Sequence, residues 1–158
     1  MEEKKKNFDK QGIKVLVVDD SKTVRSLIIA GISQDPEIEV VGEAENPYEA
    51  RELLLETDPD VICLDIIMPK MDGITFLKKL FLYAPKPVII ISTVAQDGSK
   101  LREQALKIGA VDVIDKNALN IYQNDETIRS VLINKIKMAA KTWVRKKSKE
   151  ELEGILIS

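Results

Sequence analysis

A handful of residues in this chain could do chemistry: the pair Asp19-Asp20, then Asp65, Ser92 and Lys116. Each stands at or just past the end of a short apolar run: I-K-V-L-V-V at 13–18, V-I-C-L at 61–64, V-I-I-I at 88–91 and V-D-V-I at 111–114. If those runs are parallel strands, their carboxyl ends share one rim. Neighbouring strands lie about 4.8 Å apart, so the side chains can converge. Three carboxylates brought together repel one another and raise at least one pKa unless a cation is present. Hard oxygen donors in small number suit Mg²⁺ that keeps several waters. An Asp held against Mg²⁺ can attack a phosphoryl group and become an aspartyl phosphate. A lysine and a hydroxyl can take up the phosphoryl oxygens. Singly, the residues have plainer readings. Asp65 alone is also a strand-end carboxylate capping a turn, Asp19-Asp20 a helix-capping pair, and Lys116 a solvated turn lysine.

The elements that must position these groups are legible in the pattern. The stretch V-I-C-L-D-I-I-M-P-K-M-D-G at 61–73 runs from a buried strand, through Asp65, into a turn marked by Pro69 and Asp72-Gly73. Ser21 is placed to cap a first helix whose apolar positions are Val24, Leu27, Ile28, Gly31 and Ile32. Asp35-Pro36 ends it, and residues 38–42 form a second strand. Tyr48, Ala50, Leu53 and Leu54 give a weaker amphipathic helix, closed by Asp58-Pro59. Asp72-Gly73 opens a helix with Ile74, Leu77, Leu80 and Phe81 inward. Residues 98–108 form another, with Leu101, Ala105 and Leu106 inward and Gly109 in the position after its end. Strand and helix alternate five times, the pattern of a parallel sheet covered on both faces in a doubly wound α/β domain. Ile128, Leu132, Ile136, Ala139 and Trp143 then line one face of an expected long helix over 125–145. The chain divides into a disordered tail at 1–11, a domain at 12–145 that includes the long helix, and a C-terminal extension at 146–158.

The 158 residues carry 44% hydrophobic and 32% charged side chains, enough for a globular core. A net charge of -2 gives no bulk argument for nucleic acid or membrane. No apolar run approaches a membrane span, and the charged start lacks a secretory signal. The single cysteine, Cys63, falls within an apolar strand, so it reads as core packing in a cytoplasmic chain. Histidine is absent, which removes Ser-His-Asp and Cys-His catalysis and histidine-ligated metals.

With Asp19-Asp20, D-I-I-M-P-K-M-D-G, Ser92 and Lys116 in this order at strand ends, the chain resembles the response-regulator receiver domain from about Gly12 to the end of the fifth helix. The resemblance implies a flavodoxin-like five-stranded parallel sheet of order 2-1-3-4-5, here with an extended C-terminal helix. It also implies roles. Asp65 would be the phosphoacceptor. Asp20 and Asp65 would bind Mg²⁺ directly, Asp19 through water, and Ile67 through its backbone carbonyl. Lys116 would pair with the phosphoryl group and Ser92 would hydrogen-bond to it. Within receivers, D-D-S-K-T-V-R, D-P-E-I-E-V-V-G-E-A, S-T-V-A-Q-D-G-S and A-L-K-I-G-A-V-D look most like the regulatory domain of the chemotaxis methylesterase. The esterase domain has no room and no histidine in these residues, so a stand-alone receiver, or one cut from a longer chain, is expected. Two positions depart from the pattern: Val113 stands where many receivers carry Tyr or Phe, and Asn117 where Pro commonly follows the lysine.

The expectation is a cytoplasmic phosphoacceptor switch of a two-component, chemotaxis-type pathway, with a histidine kinase as donor and an output protein that the sequence does not name. It is expected not to be an enzyme beyond self-phosphorylation and self-dephosphorylation. An aspartyl-phosphate phosphatase would want an Asp where Ile67 stands. The alternative is an adaptor acting through its C-terminal helix, including DNA binding by Lys141, Arg145, Lys146, Lys147 and Lys149. Glu150, Glu151 and Glu153 follow at once and argue for a solvated helix end. The stripe ending in Trp143, with 155–157 as a second anchor, suggests a homodimer through that helix.

Overall fold

The computed structural model describes residues 12–68, 72–93, 98–123 and 125–157. The expected tail at 1–11, the Pro69-Lys70-Met71 part of the turn, and positions 94–97 of the S-T-V-A-Q-D-G-S stretch lie outside these residues. In order, the elements are β1 (Ile13–Val18), α1 (Lys22–Ile32), β2 (Ile38–Ala44), α2 (Pro47–Thr57), β3 (Val61–Leu64) and α3 (Gly73–Tyr83). They continue with β4 (Val88–Ser92), α4 (Gly98–Ile108), β5 (Asp112–Asp115) and a 3₁₀ turn (Lys116–Leu119). A helical rod, α5, covers 125–140 with a π-helical stretch at Ile128–Ile133, and α6 covers Lys149–Ile157. The strands form one parallel sheet in the order β2-β1-β3-β4-β5, as expected.

The apolar runs dictate this arrangement. Every residue of β3 and β4 is buried, as strands covered on both faces must be. Alternation sends Leu16, Val18, Ile62, Leu64 and Ile90 to one face, against Leu77, Leu80 and Phe81 of α3 and Ala105 and Ile108 of α4. Val15, Val17, Cys63, Ile89 and Ile91 go to the other, against Ile28 and Ile32 of α1 and Leu132 and Ile136 of α5. Two residues expected inward are not: Tyr48 is 59% exposed and Leu106 38%. On α4 the inward positions are Ala105 and Ile108, with Leu101 half-buried.

The C-terminal part requires a correction. The rod ends at Ala140, not Arg145. Lys141 and Thr142 turn their amides to Met138 and Ala139 (3.1 and 2.9 Å), the short bonds that tighten a last turn. The chain then crosses to the opposite face, where the Lys147 amide donates to the Phe81 carbonyl at 2.8 Å. Ser148 caps α6 reciprocally: its Oγ accepts from the Glu151 amide at 3.1 Å, and its own amide donates to Glu151 Oε1 at 3.0 Å. Leu152 is buried, and Val144 and Ile155 pack against the core under α3 and α4. The continuous apolar stripe expected for a helix-paired homodimer is therefore not present. Ala139 is buried in the domain, Val144 is turned onto the other face, and Trp143 stands apart at 91% exposure. Of the second anchor, Ile155 is half-buried within the chain's own fold; the side chains of Leu156 and Ile157 are outside the described set. Of the basic residues there, Arg145 pairs with Glu151, and Lys147 donates to the Lys107 carbonyl at 2.8 Å.

Candidate functional site

Four strand ends build the site. β1 delivers Asp19, whose amide donates to the Ala44 carbonyl of β2 at 3.0 Å. β3 delivers Asp65, whose amide donates to the Val18 carbonyl at 2.9 Å. The register of β4 with β5 sets Ser92 opposite Asp115, one residue before Lys116. Asp19 and Asp65 are 1% and 4% exposed, while Asp20 points out. One carboxylate oxygen from each of Asp19, Asp20 and Asp65 lies within 4.8 Å of the others.

Local chemistry holds each group in place. Asp19 Oδ1 accepts from the Ser21 amide at 2.9 Å, and Ser21 Oγ caps α1 by accepting from the Val24 amide at 3.2 Å. Asp65 Oδ1 accepts from Ser92 Oγ at 2.8 Å and from the Ile67 amide at 2.9 Å. Lys116 Nζ bridges Asp65 Oδ2 at 2.9 Å and Asp19 Oδ2 at 2.8 Å. On the described residues, no buried side-chain polar atom is left without a partner. The glycine of the Asp72-Gly73 pair has a specific task. A Cβ on Gly73 would stand 2.3 Å from Ile66 Cα, so only glycine lets the first turn of α3 close on the loop after Asp65. Asp72 Oδ1 caps that turn through the Ile74 amide at 3.1 Å.

The electrostatics follow from burial. Asp19 is pushed above the usual carboxylate range, first by loss of water and also by the charge of Asp65. The Lys116 contact and the Ser21 amide pull it back without reversing the shift. Burial alone would depress the Lys116 ammonium, but its bonds to Asp19 and Asp65 outweigh that, and its pKa is raised. The set carries more carboxylate than ammonium, all in hard oxygen donors, which is the composition a small divalent cation would balance. Beside it opens a cleft of about 290 Å³, lined by Ser21, Thr93, Lys116, Asn120 and Tyr122 among others.

All the sequence-derived site residues thus meet at one rim. Ile67 joins them through its amide, with its side chain 50% exposed. One of the two departures from the receiver pattern acquires a local explanation. The Asn117 amide donates to Asp115 Oδ1 at 3.0 Å, capping the 3₁₀ turn, a bond proline could not make. Val113 is buried, and its carbonyl accepts from Arg102 Nη1 of α4 at 2.8 Å. One supporting residue was missed. Arg25 is 8% exposed, its Nη1 on the Asp19 carbonyl at 2.7 Å and its Nε on Glu43 at 2.7 Å. The signal was present: Arg25 stands three and seven residues before Ile28 and Ile32, on the helix face that the apolar spacing buries.

Residues 15–125 match the family described as Response regulator receiver domain. The protein-glutamate methylesterase/protein-glutamine glutaminase of Sulfurimonas denitrificans is 47% identical over 128 residues, 81% of this chain and 36% of that protein. The response regulator domain of Thermotoga maritima CheB superposes with a TM-score of 0.76 at 37% identity, covering 85% of this chain and 100% of that one. A chain from the complex of the CheA3 P1 domain with CheY6 of R. sphaeroides matches at a TM-score of 0.62 and 31% identity, over 80% of this chain and 97% of that one. This chain spans between 34% and 40% of the length of the first curated relatives it matches. These relatives correct the expectation that the chain is not an enzyme: they are enzymes. That expectation drew on the missing histidine of 158 residues, about a third of what the relatives contain, so it does not bear on the activity of the protein as a whole. No helix among the described residues is long and apolar enough to cross a membrane.

Proposed function

From its membership of the response-regulator receiver family, to which this chain belongs, we propose that Asp65 accepts a phosphoryl group from a histidine kinase, and that the resulting switch serves a chemotaxis-type pathway. The observation that carries the reading is the occupancy of the Asp65 carboxylate. Ser92 Oγ, the Ile67 amide and Lys116 Nζ all donate to it from within 2.9 Å. Such donors, fixed before reaction, are those that can follow negative charge onto a phosphoryl group without reorganising. Asp65 attacks phosphorus through a carboxylate oxygen. An O–P bond forms, the N–P bond of the phosphohistidine breaks, and its electron pair returns to the imidazole. Lys116 then holds the phosphoryl charge, and Ser92 leaves the carboxylate for a phosphoryl oxygen.

Asp19, Asp20 and Asp65 are the residues that would hold Mg²⁺, with Ile67 offering its carbonyl. Bound there, the ion supplies neutralisation of charge on the transferred group. Arg25 fixes the carbonyl of Asp19 and so the end of β1 from which Asp19 and Asp20 project. The kinase as donor draws support from the CheA3 P1 domain in the R. sphaeroides complex, and chemotaxis from the methylesterase relatives.

The test is intact mass after acetyl phosphate and Mg²⁺, with Asp65→Asn beside the wild type. One phosphoryl adduct, absent from Asp65→Asn and from EDTA-treated protein, is expected. Equal labelling of the variant would overturn the assignment.

A further inference from the structure

One buried charge beside the site takes no part in phosphoryl transfer. Arg25 stands on the inward face of α1 at 8% exposure, and its planar fork is divided between two strands. Nη1 donates to the Asp19 carbonyl at the end of β1, and Nε donates to Glu43 Oε1 of β2, both at 2.7 Å. The backbone of β2 meets the same place. Val18 is in register with Ala44, and the Asp19 amide donates to the Ala44 carbonyl at 3.0 Å. Beyond that bond β1 has ended, and the donor for the Asp19 carbonyl comes from a side chain. A guanidinium is rarely buried unless its hydrogen bonds are used. Here they tie the last peptide of β1 to α1 and β2 at once.

The two acidic residues after β1 are held very differently. Asp19 has its carboxylate fixed by the Ser21 amide and by Lys116. Asp20 is exposed, and among the described residues nothing bonds to its carboxylate. Yet one of its oxygens lies within 4.8 Å of those of Asp19 and Asp65. Its direction is therefore set by the backbone that carries it. A peptide unit is planar, so fixing its oxygen fixes the plane from which the next residue departs. The oxygen of the Asp19-Asp20 peptide is the atom that Arg25 holds. A bare guanidinium in this place would also repel a bound cation. Glu43, with its side chain 49% exposed, pairs with it at 2.7 Å and cancels that charge.

We propose that Arg25 is a positioning residue for the divalent cation: it sets the Asp19-Asp20 peptide so that the Asp20 carboxylate reaches the cluster, and Glu43 keeps this clamp electrically neutral. The proposal rests on Asp19, Asp20 and Asp65 being the residues that hold Mg²⁺. Arg25 acts through the main chain of Asp19. Loss of the fork frees the peptide and lowers the affinity for Mg²⁺, while Asp65 keeps its contacts to Ser92 and Lys116. Lysine is no substitute, because one ammonium on a flexible stem does not present two donors in a fixed fork.

The experiment is titration of the full chain with MgCl₂, followed by backbone amide NMR shifts, for the wild type, Arg25→Gln, Arg25→Lys and Glu43→Gln. Labelling of Asp65 by acetyl phosphate is measured over the same Mg²⁺ range. Arg25→Gln should bind Mg²⁺ about tenfold more weakly, the lower end of what an outer-shell partner of a metal site contributes. The half-saturation of labelling should shift by the same factor, with the plateau rate at saturating Mg²⁺ retained. Glu43→Gln keeps an acceptor for Nε but uncovers the guanidinium charge. It should weaken Mg²⁺ about threefold at low salt, the scale of a partly screened unit charge acting on a divalent ion, and the difference should close at high salt. Wild-type affinity in Arg25→Gln overturns the inference, as does a lowered plateau with unchanged half-saturation. Either result leaves the phosphoacceptor reading standing, provided the wild type binds Mg²⁺ and takes the label. A wild type that does neither sinks that reading and this inference with it. Should Arg25→Gln fail to fold, Arg25→Lys decides: weakened Mg²⁺ binding supports the clamp, and wild-type affinity overturns it.

Discussion

Lys116→Met is the perturbation that separates the electrostatic account of the site from a merely steric one. In the wild type a single ammonium lies 2.8 Å from Asp19 and 2.9 Å from Asp65, both carboxylates nearly out of water. At an effective dielectric of about 20 each contact is worth about 6 kcal/mol of attraction before desolvation is charged against it. Most of that is offset by burying the ions, yet removing one partner of a buried set costs about 3–5 kcal/mol, because the remaining charges stay uncompensated. The lower end applies here, since Asp19 already has a raised pKa and takes a proton readily once Lys116 is gone. Urea unfolding followed by circular dichroism in EDTA should therefore show a loss of about 3 kcal/mol. Mg²⁺ should close about half of the gap to the wild type. Without the competing ammonium, the carboxylates should bind the ion at least about tenfold more tightly, or about 1.4 kcal/mol. At about one hundred times its dissociation constant the variant gains about 2.7 kcal/mol, against about 1.4 for the more weakly binding wild type. Phosphorylation should still be impaired, since the cation for the phosphoryl group is missing. If Lys116→Met loses as much stability in excess Mg²⁺ as in EDTA, and titrates with no gain in affinity, Lys116 is not the counterion of a metal site and the reasoning fails.

Three further outcomes are expected. Asp20 is exposed, so Asp20→Ala should change unfolding by no more than about 0.5 kcal/mol while abolishing labelling of Asp65; normal labelling of this variant would remove Asp20 from the metal set. On the proposed role of Asp65, the branched apolar side chain of Ile67, two residues on and 50% exposed, would flank the phosphoryl group without orienting water, so Ile67→Asn should hasten loss of the label; slower or unchanged decay would contradict this. Arg145 and the Ser148 amide hold the Glu151 carboxyl down to about 2, below the usual 4.5. A depressed carboxylate contributes to docking above the unfolded value and loses that contribution as pH falls from 4.5 toward 2; Lys147 amide protection should fall over that window, and Glu151→Gln should flatten the fall, a matching profile in both proteins being the adverse result.

The site was legible because its chemistry is written at discontinuities. A charge directly after a fully apolar strand, as at Leu64-Asp65 or Val18-Asp19, has few places to go in a doubly wound sheet except the carboxyl rim. The strands were legible for the same reason, since β3 and β4 must be apolar throughout to be covered on both faces. Tyr48 and Leu106 were misplaced because helices near the edge of a small sheet bury a narrow stripe, and propensity does not say which flank of the stripe is wet. Arg25 was missed because a charge was read as an exposed position, although its spacing from Ile28 and Ile32 set it on the buried face. Its cost is met by the Asp19 carbonyl and Glu43, partners that local sequence does not reveal.

The end of α5 illustrates a different limit. Nothing local stops a helix after Ala140: Lys141 to Arg145 contains neither Gly nor Pro, and the apolar spacing runs on to Trp143. The termination is tertiary. An apolar cleft between α3 and α4 competes for Val144, Leu152 and Ile155, and the Phe81 carbonyl, unpaired at the end of α3, competes for the Lys147 amide. Burying Leu152 is worth on the order of 2 kcal/mol, with smaller gains from the half-buried Val144 and Ile155, whereas extending an exposed helix by one more turn gains little in water. The same competition explains why Trp143 is left outside: it sits on the crossing between two faces, in neither helix nor strand, where neither core reaches it. A sequence reading that follows periodicity assigns Ala139 and Val144 to one surface, when the fold uses them on opposite sides of the sheet. What appeared to be a spare interface for a second copy is in this chain already occupied, by the chain itself.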